Sequence, residues 1–152
     1  MIWEVLAQLL SKPAVANFII NLALKHKYND IGDYMSRYWL IPQSWGLPFA
    51  IRINHIKLAD PERYLHDHPW NFRTVILSGW YTEEDVFGQF RTYCTGSTRF
   101  CTAESAHRIE RVSPGGVWTL FITHRKRNRW GFFVGEPARK IHWRDFKNAG
   151  RM

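Results

Sequence analysis

From Phe49 onward the chain alternates. Phe49, Ile51 and Ile53 are separated by Ala50, Arg52 and Asn54, the period-two pattern of a strand with one buried face. Short runs rich in aromatic and β-branched residues follow at 64–68, 72–79, 80–86, 89–94, 99–102, 106–112, 117–123 and 130–134. Gly79, Gly88, Gly96, Pro114-Gly115-Gly116 and Gly135 punctuate them. Many short strands at regular spacing predict a mostly β chain, folded as an antiparallel sandwich, barrel or jelly roll. The tail 141–146 fits either a last strand or a short helix.

The first third reads differently. Residues 3–11 and 13–27 predict helices, and Pro13 suits a first turn. Val15, Phe18, Ile19 and Leu22 form one apolar stripe, which predicts packing against the rest of the domain or, alternatively, contact with a second copy in a homodimer. Residues 28–48 read as a connector with aromatic anchors Tyr34, Tyr38, Trp39 and Trp45. No linker composition or repeat intervenes. Residues 1–152 are therefore expected to form one domain, with 1–48 a helical extension packed on a barrel of residues 49–146.

Composition narrows the classes. A chain of 152 residues with 16% aromatic side chains is expected to fold around a packed core. Cys94 and Cys101 are too few for a disulfide framework and predict reduced thiols in a cytoplasmic protein. The start Met1-Ile2-Trp3-Glu4 lacks the basic opening of a secretory signal. Glu4, Lys12, Asn17 and Asn21 interrupt the apolar opening, whereas a membrane span needs about 20 nearly uninterrupted apolar residues. The net charge is +8, and the excess lies in residues 91–152, where thirteen Lys and Arg face four Asp and Glu. Such asymmetry suits a small carboxylate or phosphate, a nucleotide or a nucleic acid, or merely a basic surface.

The strongest chemical signal is Tyr64-Leu65-His66-Asp67-His68-Pro69-Trp70. Side chains at i and i+2 of a strand share a face, so His66 and His68 aim at one place while Asp67 points away. Neutral imidazole is the commonest protein ligand for transition metals. Two ligands make a weak site, and a third must come from elsewhere in the chain.

Here the sequence resembles the cupin superfamily. The first cupin motif runs His-x-His, three residues, Glu, six residues, Gly; this chain has His66-Asp67-His68, three residues, Phe72, six residues, Gly79. In the second motif Gly96 and His107 stand at the cupin separation, while Thr102, Glu104 and Arg111 replace Pro, Gly and Asn. The strings Leu65–Trp70, Ala106–Glu110, Trp118–Thr123 and Arg129–Phe132 look like those of small cupin proteins of bacteria and phages. The resemblance implies a cupin-type barrel and one divalent metal ion on His66, His68 and His107. It implies Fe(II) first, with Zn, Ni or Mn as alternatives. A three-histidine set without the glutamate is similar to that of thiol dioxygenases. It leaves the ion its full charge and open positions for an anionic substrate.

Other residues join as expectations. Phe72 in the glutamate position gives the pocket an apolar wall. Arg111 and Arg73, beside Arg52 and Arg108, are candidates to enter the barrel and meet an anion, and Tyr64 and Tyr81 are candidates to offer a phenol. The run Arg125, Lys126, Arg127 and Arg129 is a candidate anion-binding loop, or else a solvated hairpin tip. His55, His124 and His142 read as surface or structural residues, with His124 the best placed to support a ligand. The expected function is that of a dioxygenase-like metalloenzyme acting on a small anion. The alternatives are a nucleotide- or nucleic-acid-binding module with a structural metal, and a metal-dependent isomerase or epimerase.

Overall fold

In the strand Phe49–Ile56 the even-numbered side chains turn inward and the odd-numbered ones turn toward two helices. A computed structural model describes residues 1–150, so the last two residues of the expected domain lie outside the described residues. Two helices, α1 (Ile2–Leu10) and α2 (Pro13–Leu24), come first and are bent by 78° at the break between them. Eleven strands follow: β1 (Lys27–Ile31), β2 (Met35–Ile41), β3 (Phe49–Ile56), β4 (Trp70–Ser78), β5 (Trp80–Asp85), β6 (Phe90–Cys94), β7 (Thr98–Cys101), β8 (His107–Val112), β9 (Val117–Lys126), β10 (Gly131–Val134) and β11 (Arg139–His142). A short helix α3 (Trp143–Asn148) closes the tail, which is therefore strand and then helix. Among the described residues no single helix is long and apolar enough to cross a membrane.

One sheet has six antiparallel strands in the order β1-β2-β3-β9-β4-β7. Opposite it lie β6-β5-β8 and the pair β10-β11. His66 joins these two pieces, because it bridges to His107 of β8 and to Phe132 of β10. The result is the mostly antiparallel jelly roll expected from the strand pattern.

The six-stranded sheet has two faces. Ile53, Val75, Leu77 and Leu120 pack outward against Ala7, Ala16, Ile20 and Ala23 of the helices. Arg52, Asn54, Phe72, Thr74, Thr119 and Phe121 occupy the opposite parity and line the interior. Ile56, Ile76, Tyr81, Ile109 and Val117 close one end of the barrel. Phe72, Cys101 and Phe121 form a smaller cluster beside the histidines. Gly79 and Gly96, the glycines that match the cupin motifs, both have positive φ, 86° and 85°, which favours glycine at these turns.

Three expectations change. The expected connector 28–48 contains β1 and β2, whose Tyr38 and Leu40 help cover the helices. The stripe Val15-Phe18-Leu22 faces outward, with Phe18 68% exposed. The helix instead buries Ala16, Ile20 and Ala23, with Ile19 partly buried beside them, because small alanines let a helix sit close to a sheet. Residues 64–68 are not a regular strand, since only His66 pairs, and it does so through isolated bridges.

Candidate metal centre

His66, His68 and His107 converge, with one ring nitrogen of each within 4.8 Å of the others. The backbone explains how. His66 and His107 exchange both backbone hydrogen bonds, at 2.9 and 3.0 Å, and the His68 amide donates to the Ala103 carbonyl at 3.2 Å. Asp67 points away and is buried. Its carboxylate accepts from the Gly131 amide and the Asn128 side chain, both at 2.8 Å, and pairs with Lys140. Asp67 is thus the fixed point that holds the segment around it.

The donor set fits one metal ion. His68 Nε2 and His107 Nε2 lie 2.9 Å apart, and two imidazoles at right angles on an ion, each about 2.1 Å from it, would stand about 3.0 Å apart. His107 also has the correct tautomer held in place. Glu83 on β5 is buried and accepts a hydrogen bond from His107 Nδ1 at 2.8 Å. That leaves the Nε2 lone pair for the cluster, the usual arrangement behind a metal-binding histidine. Arg99 forms an ion pair with the same Glu83 carboxylate. Its Nη1 lies 3.1 Å from His107 Nδ1; both atoms are donors here, so they share the carboxylate and do not bond each other. Burial and the neighbouring His66 hold His68 well below the usual histidine range, and burial with His68 does the same for His107. Both rings are therefore neutral at pH 7, as ligation requires.

Around the histidines the wall is aromatic. Phe72 is buried and meets the His68 ring edge-on with centroids 4.6 Å apart. Phe121 stacks on Phe72 at 4.7 Å, and Trp70 stacks over His68 at 6.2 Å. Into this wall comes Arg52, 7% exposed, its guanidinium 4.7 Å from the Phe121 ring centre and 5.0 Å from that of Trp70. No carboxylate pairs with Arg52 among the described residues, and its Nε has no hydrogen-bond partner. Burial pushes its pKa down to about 9.

The other sequence-derived candidates lie elsewhere. Arg73 sits on the outward parity of β4, against Trp3 and Phe100. Arg108 pairs with Glu84 and Glu110, and Arg111 is exposed. Tyr64 packs on Phe146 and accepts a hydrogen bond from Arg63. Tyr81 is buried in the closed end of the barrel beside Tyr93, where burial raises its pKa. Arg125, Lys126, Arg127 and Arg129 are exposed. The tip they form is not part of a hairpin, because β9 and β10 do not pair; the Arg127 and Asn128 amides instead donate to the Pro69 carbonyl. His124 is exposed near Phe100, and His55 stacks on Trp118.

Glu83 and Arg99 belong to no motif of the sequence. Parity is the signal for Glu83, since Tyr81 and Glu83 share a strand face and a buried Tyr81 implies an inward acid.

No protein-family model and no functionally curated protein matches the sequence. Solved structures do match in fold. A cupin-like protein of Thermotoga maritima superposes with a TM-score of 0.55 at 11% identity, over 82% of this chain and 93% of that one. A polyketide cyclase of Streptomyces resistomycificus gives 0.55 at 17% identity, over 79% and 80% of the two chains. A DMSP lyase of Ruegeria pomeroyi gives 0.55 at 19% identity, over 74% of this chain and 62% of the lyase.

Proposed function

Starting from a cupin fold whose three histidines converge on one point, we propose that the chain is a metal-dependent enzyme of dioxygenase type acting on a small anion. The observation that carries this reading is the pairing of two features: a set of three convergent imidazoles with no carboxylate among them, and the guanidinium of Arg52 nearby, without an ionic partner among the described residues. A buried cation without a counter-charge costs free energy, and an anion entering the barrel offsets that cost.

Each residue then has a task. His66, His68 and His107 hold the ion, which when bound supplies Lewis-acid and, as iron, one-electron chemistry. Glu83 keeps the His107 proton on Nδ1, and Arg99 holds the Glu83 carboxylate in place. Arg52 draws in and orients the anionic group. Phe72, Phe121 and Trp70 keep water from the interior, which strengthens every charge interaction there. A lyase and a cyclase share this fold, so the reaction is chosen by the site and not by the barrel.

The test is anaerobic reconstitution of the untagged protein with Fe(II), followed by a panel of small carboxylates and phosphates. Thermal shift is read first and oxygen uptake second. The reading expects at least one anion to stabilise the iron-loaded protein and to cause oxygen uptake. Stabilisation with no uptake for any such anion counts against the dioxygenase assignment. Absence of both removes the anionic-substrate reading.

A further inference from the structure

A groove of about 390 Å³ lies behind Trp70, the indole stacked on His68, and is lined by Trp70, Lys126, Arg129, Trp130, Trp143 and Arg144 with Pro69 and His142. One wall is fixed. The Arg127 and Asn128 amides donate to the Pro69 carbonyl at 2.7 and 3.1 Å, and the Asn128 side chain reaches Asp67 and the backbone carbonyls of His68 and Ala103. The other wall is a stack of indoles: Trp130 and Trp143 lie 5.7 Å apart and 9° from parallel, with the Arg144 guanidinium 5.3 Å from the Trp143 ring centre.

Two features give the groove a chemistry. Trp70, Trp130 and Trp143 are each only half-buried, so indole surface faces the open space. Lys126, Arg129 and Arg144 ring it, none is ion-paired among the described residues, and no acid lines it. Its place gives the groove a purpose. Trp70 stacks on His68, and Trp130 meets Phe132, which lies 5.9 Å from the His66 ring. Each wall is thus within one or two rings of a ligand histidine.

We propose that this groove binds the flat unsaturated ring of an aromatic carboxylate or phosphate. Indole faces hold the ring, and the three cations select the charge. A groove of this size suits a single small molecule, whereas single-stranded nucleic acid needs a basic track several nucleotides long. The inference rests on the proposed function only in taking the groove's ligand for the substrate; binding in the groove itself needs no metal.

The test uses metal-free protein, so the two readings fail separately. Calorimetric titrations compare benzoate and phenyl phosphate with cyclohexanecarboxylate, which lacks the flat ring, and benzyl alcohol, which lacks the charge. Benzoate and phenyl phosphate are expected to bind, and each control to bind roughly tenfold more weakly or not at all. Trp130→Ala is expected to weaken benzoate roughly tenfold. Should that variant misfold, the exposed pair Lys126→Gln and Arg129→Gln gives the same reading by weakening benzoate and leaving circular dichroism unchanged. The proposal is overturned if cyclohexanecarboxylate binds as well as benzoate, if no probe binds, or if affinity for oligothymidylate rises steadily with length while the single-ring probes fail.

Discussion

The Glu83 carboxylate accepts a hydrogen bond from His107 Nδ1 at 2.8 Å and is itself paired with Arg99. By the spacing of the first cupin motif Phe72 stands where the resemblance implies a glutamate, and an acid stands instead behind one of the three convergent histidines. Glu83→Gln keeps the shape of the side chain but removes its charge. Metal affinity is expected to fall about 10–100-fold, measured by competition with a chromophoric chelator, with no loss of secondary structure. Unchanged affinity would show that Glu83 does not hold the ligand.

Phe72→Glu restores an acid at a position whose ring now lies 4.6 Å from that of His68. The variant is expected to hold metal more tightly and to lose binding of the small anion, because the new carboxylate takes the anion's place. Chelator competition and anion-induced thermal shift check the two halves. No change in either would mean that residue 72 does not border the ion.

Arg52 predicts a trade between stability and binding. It is a buried cation without an ionic partner among the described residues, and burial has pushed its pKa down to about 9. Arg52→Met removes the uncompensated charge and keeps much of the packing against Trp70 and Phe121. Melting temperature is expected to rise by a few degrees, since 1 kcal/mol moves it by about 2–4 °C in a chain of this size, while anion affinity falls. A variant that melts earlier and binds anions normally would contradict the role given to this side chain.

His68 sets a pH dependence in protein stripped of metal. Its pKa in the fold lies well below the ordinary 6.5, through burial first, then His66 and Arg52. Above pH 6.5 the ring is neutral in both folded and unfolded chains, and it adds no pH dependence. As pH falls through 6.5 the unfolded chain binds a proton that the folded chain refuses, so stability drops. Denaturant unfolding at pH 7, 6 and 5 is expected to show this loss in the wild type and a smaller one in His68→Asn. Equal slopes in the two proteins would assign the loss to other groups.

Much of the fold was legible because Phe49, Ile51 and Ile53 of β3 alternate with Arg52 and Asn54, and because glycines mark the turns between the short strands that follow. The histidine site was legible because spacing alone places His66 and His68 together, and His107 follows from the match to the second motif. Other features were hidden for physical reasons. His66 lies outside any regular strand, so its position depends on backbone bridges to His107 and Phe132 that no local pattern encodes. Arg52 was one of four similar arginines in strand-like segments, and the outward packing of Arg73, the ion pairs of Arg108 and the exposure of Arg111 separate them from it. The groove joins residues 70, 126–130 and 142–144, which only the folded chain brings together.

The most direct measurement is the metal content of untagged protein, by elemental analysis, for wild type beside His68→Ala and His107→Ala. Three convergent histidines predict close to one divalent first-row ion per chain in the wild type after reconstitution. They also predict a large loss in each variant, with circular dichroism showing that the barrel persists. Equal metal content in all three proteins, or none in the reconstituted wild type, would contradict a metal centre at His66, His68 and His107.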